Sequence, residues 1–270
     1  MGGKALAHIG IETRRYETPE FLETAKILIP RVEKLFNTEV HFVTYFRDKL
    51  SHGDMDLLIL NNGQLGDVRE KIMSEFHPDG IYCNGGVFSF NYHDLQVDII
   101  PQPTTDWETA KCFFDMDPTG NLIGKTAHKF GLKYGFDGLK YPFRIDGKIT
   151  ADITISKDNA KIFEFLGYNY NEYLKGFDSK FEIFEYIING KYFDSSAFQM
   201  DNLNHIDRKR NAKRATYQEF LQFININQIK FAYNFKSKEE YIRDIDKFFP
   251  EANFLATLKD FRKKEKERKI

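Results

Sequence analysis

Apolar residues recur every three or four positions at Phe21, Leu22, Ala25, Leu28, Ile29, Val32 and Leu35, the spacing of an amphipathic helix. Thr18 and Pro19 stand ahead of that run as N-cap and first helical residue, and Pro30 falls where it would kink it. Residues 39–44 and 54–60 read as strands, followed by a helix over 64–76. Residues 80–92 and 95–100 form a predicted antiparallel pair. Beyond Pro101 and Pro103 the pattern predicts helices over 107–116 and 119–133, then a hairpin over 139–155 turning at Asp146-Gly147. From Ser156 the spacing is mostly helical, over 159–166, 180–188, 205–226 and 238–249. The expected class is α/β in the α+β sense, with a mixed or antiparallel sheet in the front of the chain and helices behind. Segments 1–104, 105–155 and 156–270 are the expected domains.

One strand carries unusual chemistry. In Gly53-Asp54-Met55-Asp56-Leu57-Leu58-Ile59, side chains two apart share a face, so Asp54 and Asp56 emerge together while Met55 and Leu57 turn inward. A neighbouring strand with Asp98 between Val97 and Ile99 would add a third carboxylate to the same edge. Such a trio suits two divalent cations, magnesium first because it takes hard oxygen ligands, with manganese as a substitute. The plainer alternative is that Asp54 and Asp56 merely open a strand and Asp98 is separately paired. Lys49 and His52 flank this strand as candidate phosphate contacts, the alternative being a satisfied surface lysine and a packed histidine.

At 270 residues, with 41% hydrophobic and 16% aromatic content, the chain can close a sizeable core. The net charge of -1 does not announce a nucleic-acid binder, although residues 1–150 lean acidic and 151–270 lean basic. Cys83 and Cys112 belong to no metal-binding or disulfide spacing, which points to a reducing compartment. No leader pattern or membrane-length apolar run is present in the sequence, so the expected protein is soluble and cytoplasmic; a monomer is expected. The densest basic cluster is His205-Ile206-Asp207-Arg208-Lys209-Arg210-Asn211-Ala212-Lys213-Arg214. On one continuous helix, Arg210, Lys213 and Arg214 would share a face able to meet adjacent phosphates, with Arg208 beside them. The alternative is a solvated face paired with Asp207 and Glu219. Residues 262–269 are a mixed-charge run expected to be a solvated helix end or a frayed tail.

The segment Thr44-Tyr45-Phe46-Arg47-Asp48-Lys49-Leu50-Ser51-His52-Gly53-Asp54-Met55-Asp56 resembles the palm signature of the DNA polymerase beta superfamily. In that signature a hydroxyl, an aromatic and a basic residue precede a Gly-Asp-hydrophobic-Asp strand, and a third carboxylate sits as Asp98 does. The resemblance extends through Phe113-Phe114, Asn121, Thr126-Ala127-His128, Gly135-Phe136 and Tyr141, over roughly residues 40–144. It is nearest the X family of DNA polymerases.

That resemblance implies a nucleotidyltransferase palm, a nascent-base-pair-like closing subdomain and a helical C-terminal domain. It implies Asp54, Asp56 and Asp98 as catalytic metal ligands, with Thr44, Arg47 and Gly53 at the triphosphate. Phe113 and Phe114 would lie beside the sugar and Asn121 at the nascent pair. Lys125 and His128 become candidate template-phosphate contacts. The implied reaction adds a nucleotide from a (d)NTP to a 3′-hydroxyl with loss of pyrophosphate, on DNA in preference to RNA, as in gap-filling repair or primer extension. Alternatives are untemplated transfer to RNA, transfer RNA, protein or a small molecule, and a non-catalytic nucleic-acid-binding relative. Val43 departs from the family glycine that admits close backbone approach to a triphosphate. With only about forty residues ahead of the palm, lyase chemistry is not expected.

Overall fold

The computed structural model describes residues 3–229 and 233–268. The chain divides into two compact units: residues 1–107 with 114–116 and 177–180, and the remainder.

In the first unit a two-residue strand β1 (Tyr16–Glu17) leads into helix α1 (Thr18–Phe36), then β2 (Val40–Phe42), β3 (Ser51–His52), β4 (Asp54–Asn61), α2 (Val68–Phe76), β5 (Ile81–Asn84), β6 (Val87–Tyr92) and β7 (Leu95–Pro103). Helix α1 runs through Pro30 with its apolar stripe buried at Phe21, Ala25, Leu28, Val32 and Phe36. Its N-cap is Glu17, not the expected Thr18. The Thr18 hydroxyl instead donates to the Lys49 carbonyl, and its backbone amide donates to Leu50 O, so tertiary pairing with the β3 approach displaced the local cap.

The main sheet has the order β2-β4-β7-β6-β5. Strands β4 and β7 are parallel, and the other neighbours are antiparallel, giving a mixed sheet. The predicted 80–92 strand is a hairpin, β5 and β6, turned at Gly85-Gly86, both at positive φ. Met55, Leu57 and Ile59 are fully buried beside Val97 and Ile99 and join the α1 residues in one core. Burying each such side chain contributes roughly 2 kcal/mol. That anchoring sets the strand register and sends Asp54 and Asp56 to the other face.

The second unit takes most of α3 (Trp107–Phe114), then α4 (Thr119–Lys129), β8 (Lys133–Gly135), β9 (Gly138–Ile145), β10 (Lys148–Ser156), α5 (Asn159–Phe165), α6 (Tyr170–Leu174), most of α7 (Lys180–Ile188), α8 (His205–Ala212), α9 (Ala215–Ile226), α10 (Lys238–Phe248) and α11 (Phe254–Arg268). The hairpin β9–β10 turns at Asp146 and Gly147, both at positive φ, as the sequence predicts. The helix expected over 119–133 stops at Lys129, because Gly131 adopts a left-handed conformation and Gly131 N and Leu132 N bond back to His128 O and Ala127 O. The chain then pairs with β9 as a third strand.

The single helix expected over 205–226 is two. Helix α8 ends at Ala212, and Arg214 turns extended at φ -94 and ψ 107 to cap α9, its carbonyl accepting the Tyr217 and Gln218 amides. This unit's core is aromatic, with Phe184, Phe198 and Phe220 fully buried and Phe220 ringed by the other two at 5.1 Å. Helix α11 carries the charged run; Lys269 lies outside the described residues. Among the described residues, no helix is long and apolar enough to cross a membrane.

Candidate functional site

Because β4 and β7 are parallel and in register, Asp56 stands directly opposite Asp98, and Asp54 opposite Gln96. One oxygen from each of Asp54, Asp56 and Asp98 lies within 4.8 Å of the others. Tyr45 donates its hydroxyl to Asp56 Oδ2 at 3.2 Å. Gln96 donates its side-chain amide to both oxygens of Asp98, at 3.0 and 3.2 Å. Burial, then the charges of Asp54 and Asp98, push the Asp56 carboxyl well above its ordinary range. Burial and the Asp54 charge push Asp98 up to about 7, against hydrogen bonds from Ser89 and Gln96 that favour its ionised form. Crowded, desolvated carboxylates of this kind fit hard divalent cations, whose charge would remove the repulsion.

The N-terminal segment closes on this edge. Gly3 N donates to Asp54 Oδ2 at 2.9 Å, and Ala5 N and Leu6 N donate to Gln96 Oε1 at 2.9 and 3.4 Å. A cavity of about 560 Å³ opens beside Gly53, with Gly3, Lys4, Thr13 and Arg15 in its wall. Its volume falls in the range of small-ligand sites. The sequence pattern alone did not single out Gln96 or this segment. Gln96 was within reach of it, lying two positions ahead of Asp98 and therefore on the same strand face.

The remaining candidates of this unit are differently placed. No helix opens at Thr44; residues 43–50 are irregular with a turn at Arg47 and Asp48. Thr44 is exposed, its amide donating to Asp115 Oδ1 at 2.8 Å and its carbonyl accepting from Met116 N. Asp115 also meets His41 Nε2 at 2.9 Å. Val43 is 1% exposed, so its isopropyl group belongs to the core, while its amide donates to Asp56 O. Arg47 is ion-paired with Asp178, and its amide donates to Phe177 O. Lys49 lies over the Tyr45 ring. His52 is 4% exposed and stacked on Phe21 at 3.8 Å. Burial and the charges of Lys49 and Arg15 hold it down to about 4, so it is a neutral core residue at physiological pH. Phe114 is half-buried.

In the second unit, Phe113 is half-buried edge-on to Tyr134, and α4 approaches so closely that a Cβ on Gly120 would lie 2.6 Å from Phe113 O. Asn121 Nδ2 donates to Asn211 Oδ1 at 3.4 Å, and the Nδ2 of fully buried Asn211 has no hydrogen-bond partner among the described residues. Lys125, one turn on from Asn121, is only 4% exposed and pairs with Asp207 at 3.0 Å. His128 approaches the same carboxylate at 3.6 Å. Arg208 donates to Asp201 O and Leu203 O, closing its own loop. Arg210 and Lys213 are exposed. Arg214 is half-buried, and burial, then the Arg210 charge, lowers its pKa. The break between α8 and α9 takes Lys213 and Arg214 off the helical face that the sequence pattern assigned to them with Arg210, but leaves Arg210 and Arg214 close enough to repel. The sequence pattern offered Asp207 as a partner of the basic face and not of Lys125, and Asn211 had no signal there beyond its place among basic residues. No protein-family model matches the chain, and no curated protein matches its sequence.

Proposed function

We propose that the protein is a divalent-cation-dependent nucleotidyltransferase. It would transfer a nucleotide from a nucleoside triphosphate to a nucleic-acid 3′-hydroxyl and release pyrophosphate, as a small DNA polymerase that fills gaps or extends primers. The observation that carries this reading is the convergence of Asp54, Asp56 and Asp98 on one face of a mixed sheet, from two interior strands that run parallel. The order of Thr44, Arg47, Gly53, Asp54, Asp56 and Asp98, with its resemblance to the polymerase-beta palm, supports it.

Asp54, Asp56 and Asp98 would hold two magnesium ions, which supply charge neutralisation on the phosphates and ease ionisation of the attacking hydroxyl. Asp98 would accept the hydroxyl proton, and Tyr45 steadies Asp56 through its hydrogen bond. The cavity beside Gly53 offers room for part of a substrate. Arg210, Lys213 and Arg214 would contact nucleic-acid phosphates; Lys125, His128 and Arg208 would contribute less directly, since their donors already have protein partners.

A second reading, untemplated transfer, is favoured by one contact: the Asn121 amide, which the resemblance assigns to a nascent base pair, is engaged by Asn211. The deciding experiment supplies magnesium, labelled dNTPs or NTPs, and gapped DNA, primed DNA or transfer RNA, with Asp98→Ala in parallel. Template-matched addition of dNTP, lost in Asp98→Ala, is expected. Untemplated labelling of RNA would favour the second reading, and nucleic-acid binding with no labelling of any acceptor would refute both.

The basic segment gives a separate prediction. Replacing Arg210 and Arg214 together by Ala should weaken binding to a labelled single strand and reduce the slope of log affinity against log salt by about 1.4, or about 0.7 for each phosphate no longer neutralised. An unchanged slope in fluorescence anisotropy would remove these residues from the interface.

A further inference from the structure

We propose that Gln96 and the Gly3–Leu6 segment are positioning elements of the cation centre, an inference that rests on reading Asp54, Asp56 and Asp98 as divalent-cation ligands. Gln96 is 1% exposed and shares a strand face with Asp98. Its Nε2 reaches both Asp98 oxygens, and its Oε1 receives the amides of Ala5 and Leu6. These partners fix the amide's sense. Turned over, it would set a carbonyl oxygen against a carboxylate and an NH2 group against two N–H donors. The Gly3–Leu6 segment therefore decides which end of Gln96 faces Asp98, and Gln96, together with Ser89, orients that carboxylate.

The same segment reaches Asp54 without an intermediary, through the Gly3 amide. Only glycine fits there: φ is +80°, and a Cβ would lie 1.9 Å from Gly53 O. Thr13 holds the segment in place by donating its hydroxyl to Gly3 O at 3.1 Å. Two of the three carboxylates are thus oriented from one short segment, Asp54 directly and Asp98 through Gln96. Partners that orient metal-binding side chains typically change metal affinity by about 10- to 100-fold when removed.

The test is Mn²⁺ affinity of the full chain by isothermal calorimetry, with melting of the cation-free protein measured beside it. Gln96→Met keeps the length of the side chain and removes both hydrogen-bonding ends. It should weaken Mn²⁺ binding about tenfold. Gly3→Ala, whose Cβ would push the segment off the Gly53 backbone, should weaken it in the same direction and keeps the proposal testable where Gln96→Met does not fold. In transfer assays the loss should appear as a higher Mn²⁺ requirement, with kcat recovering at saturating cation. A lower melting temperature with unchanged Mn²⁺ affinity in the folded variants would overturn the proposal and make Gln96 a packing residue. If Asp98→Asn abolishes Mn²⁺ binding while Gln96→Met and Gly3→Ala retain it, positioning fails and the cation centre stands. If the wild-type chain binds no Mn²⁺, the cation reading fails and takes this inference with it.

Discussion

Asp98→Asn is expected to lower nucleotide transfer by about a thousandfold while stabilising the cation-free protein at pH 8. The two effects have one cause. Burial and the neighbouring Asp54 charge raise Asp98 to about 7, so the folded chain holds a proton that the unfolded chain releases near pH 4. The stability linked to that proton is fully present below about pH 4 and is lost as the pH rises through about 7. At pH 8 the cation-free fold carries the repulsion in full.

Asparagine removes the charge. Its carbonyl can accept from Gln96, and its amide can donate toward the remaining carboxylates. A gain of about 2 kcal/mol at pH 8 and little change near pH 4 are expected, read from urea melts at both pH values. Magnesium should stabilise the wild type more at pH 8 than at pH 5, and the variant little at either. A variant less stable than the wild type at pH 8 would show that the trio is not under electrostatic load.

Lys125→Met should destabilise the second unit by about 3 kcal/mol, as breaking a buried ion pair does. Lys125 lies 3.0 Å from Asp207 and is almost fully buried, and burial lowers its pKa while Asp207 pulls it back up. Burial pushes the Asp207 carboxyl up, yet Lys125 holds it below its usual range. The pair's contribution is therefore present above the ordinary carboxylate range and lost as the pH falls through the lowered value. Without the ammonium, Asp207 keeps only His128 at 3.6 Å as an ion-pair partner among the described residues, and that ring is held toward its neutral form by burial. Lys125→Met combined with Asp207→Leu should recover more than half of the loss. Denaturant melts of the three variants decide it, and a single-variant effect below about 1 kcal/mol would mean that Arg210 and Arg214 already neutralise Asp207.

The legible parts of the chain were those in which local pattern and tertiary packing agree. Met55 and Leu57 alternate with Asp54 and Asp56 in the sequence, and the core beneath β4 keeps that alternation, so a strand edge with two carboxylates could be read directly. The Asp146-Gly147 turn was equally plain, because few other residue pairs adopt two consecutive positive φ angles so readily. Gly131 was an available stop signal for α4 that the longer helical pattern ran past. The α8–α9 break had no such signal, since neither glycine nor proline stands at 213–214 and only the packing of α9, with Tyr217 and Phe220 fully buried, turns Arg214 out of helix.

The strand-borne Asp54 and Asp56, the apolar stripe of α1, the hairpin turn and the mixed α/β character are written in the chain, because each depends on residues a few positions apart. Packing between distant segments set β7 parallel to β4 with Asp98 opposite Asp56, and brought Lys125 and Asp207 together as a buried pair. It also decided that Gly3, Ala5 and Leu6 return to Asp54 and Gln96. Those pairings join residues from 42 to 91 positions apart. Their geometry follows from how the core packs and from which buried polar groups must find partners, and no periodicity within either segment encodes it.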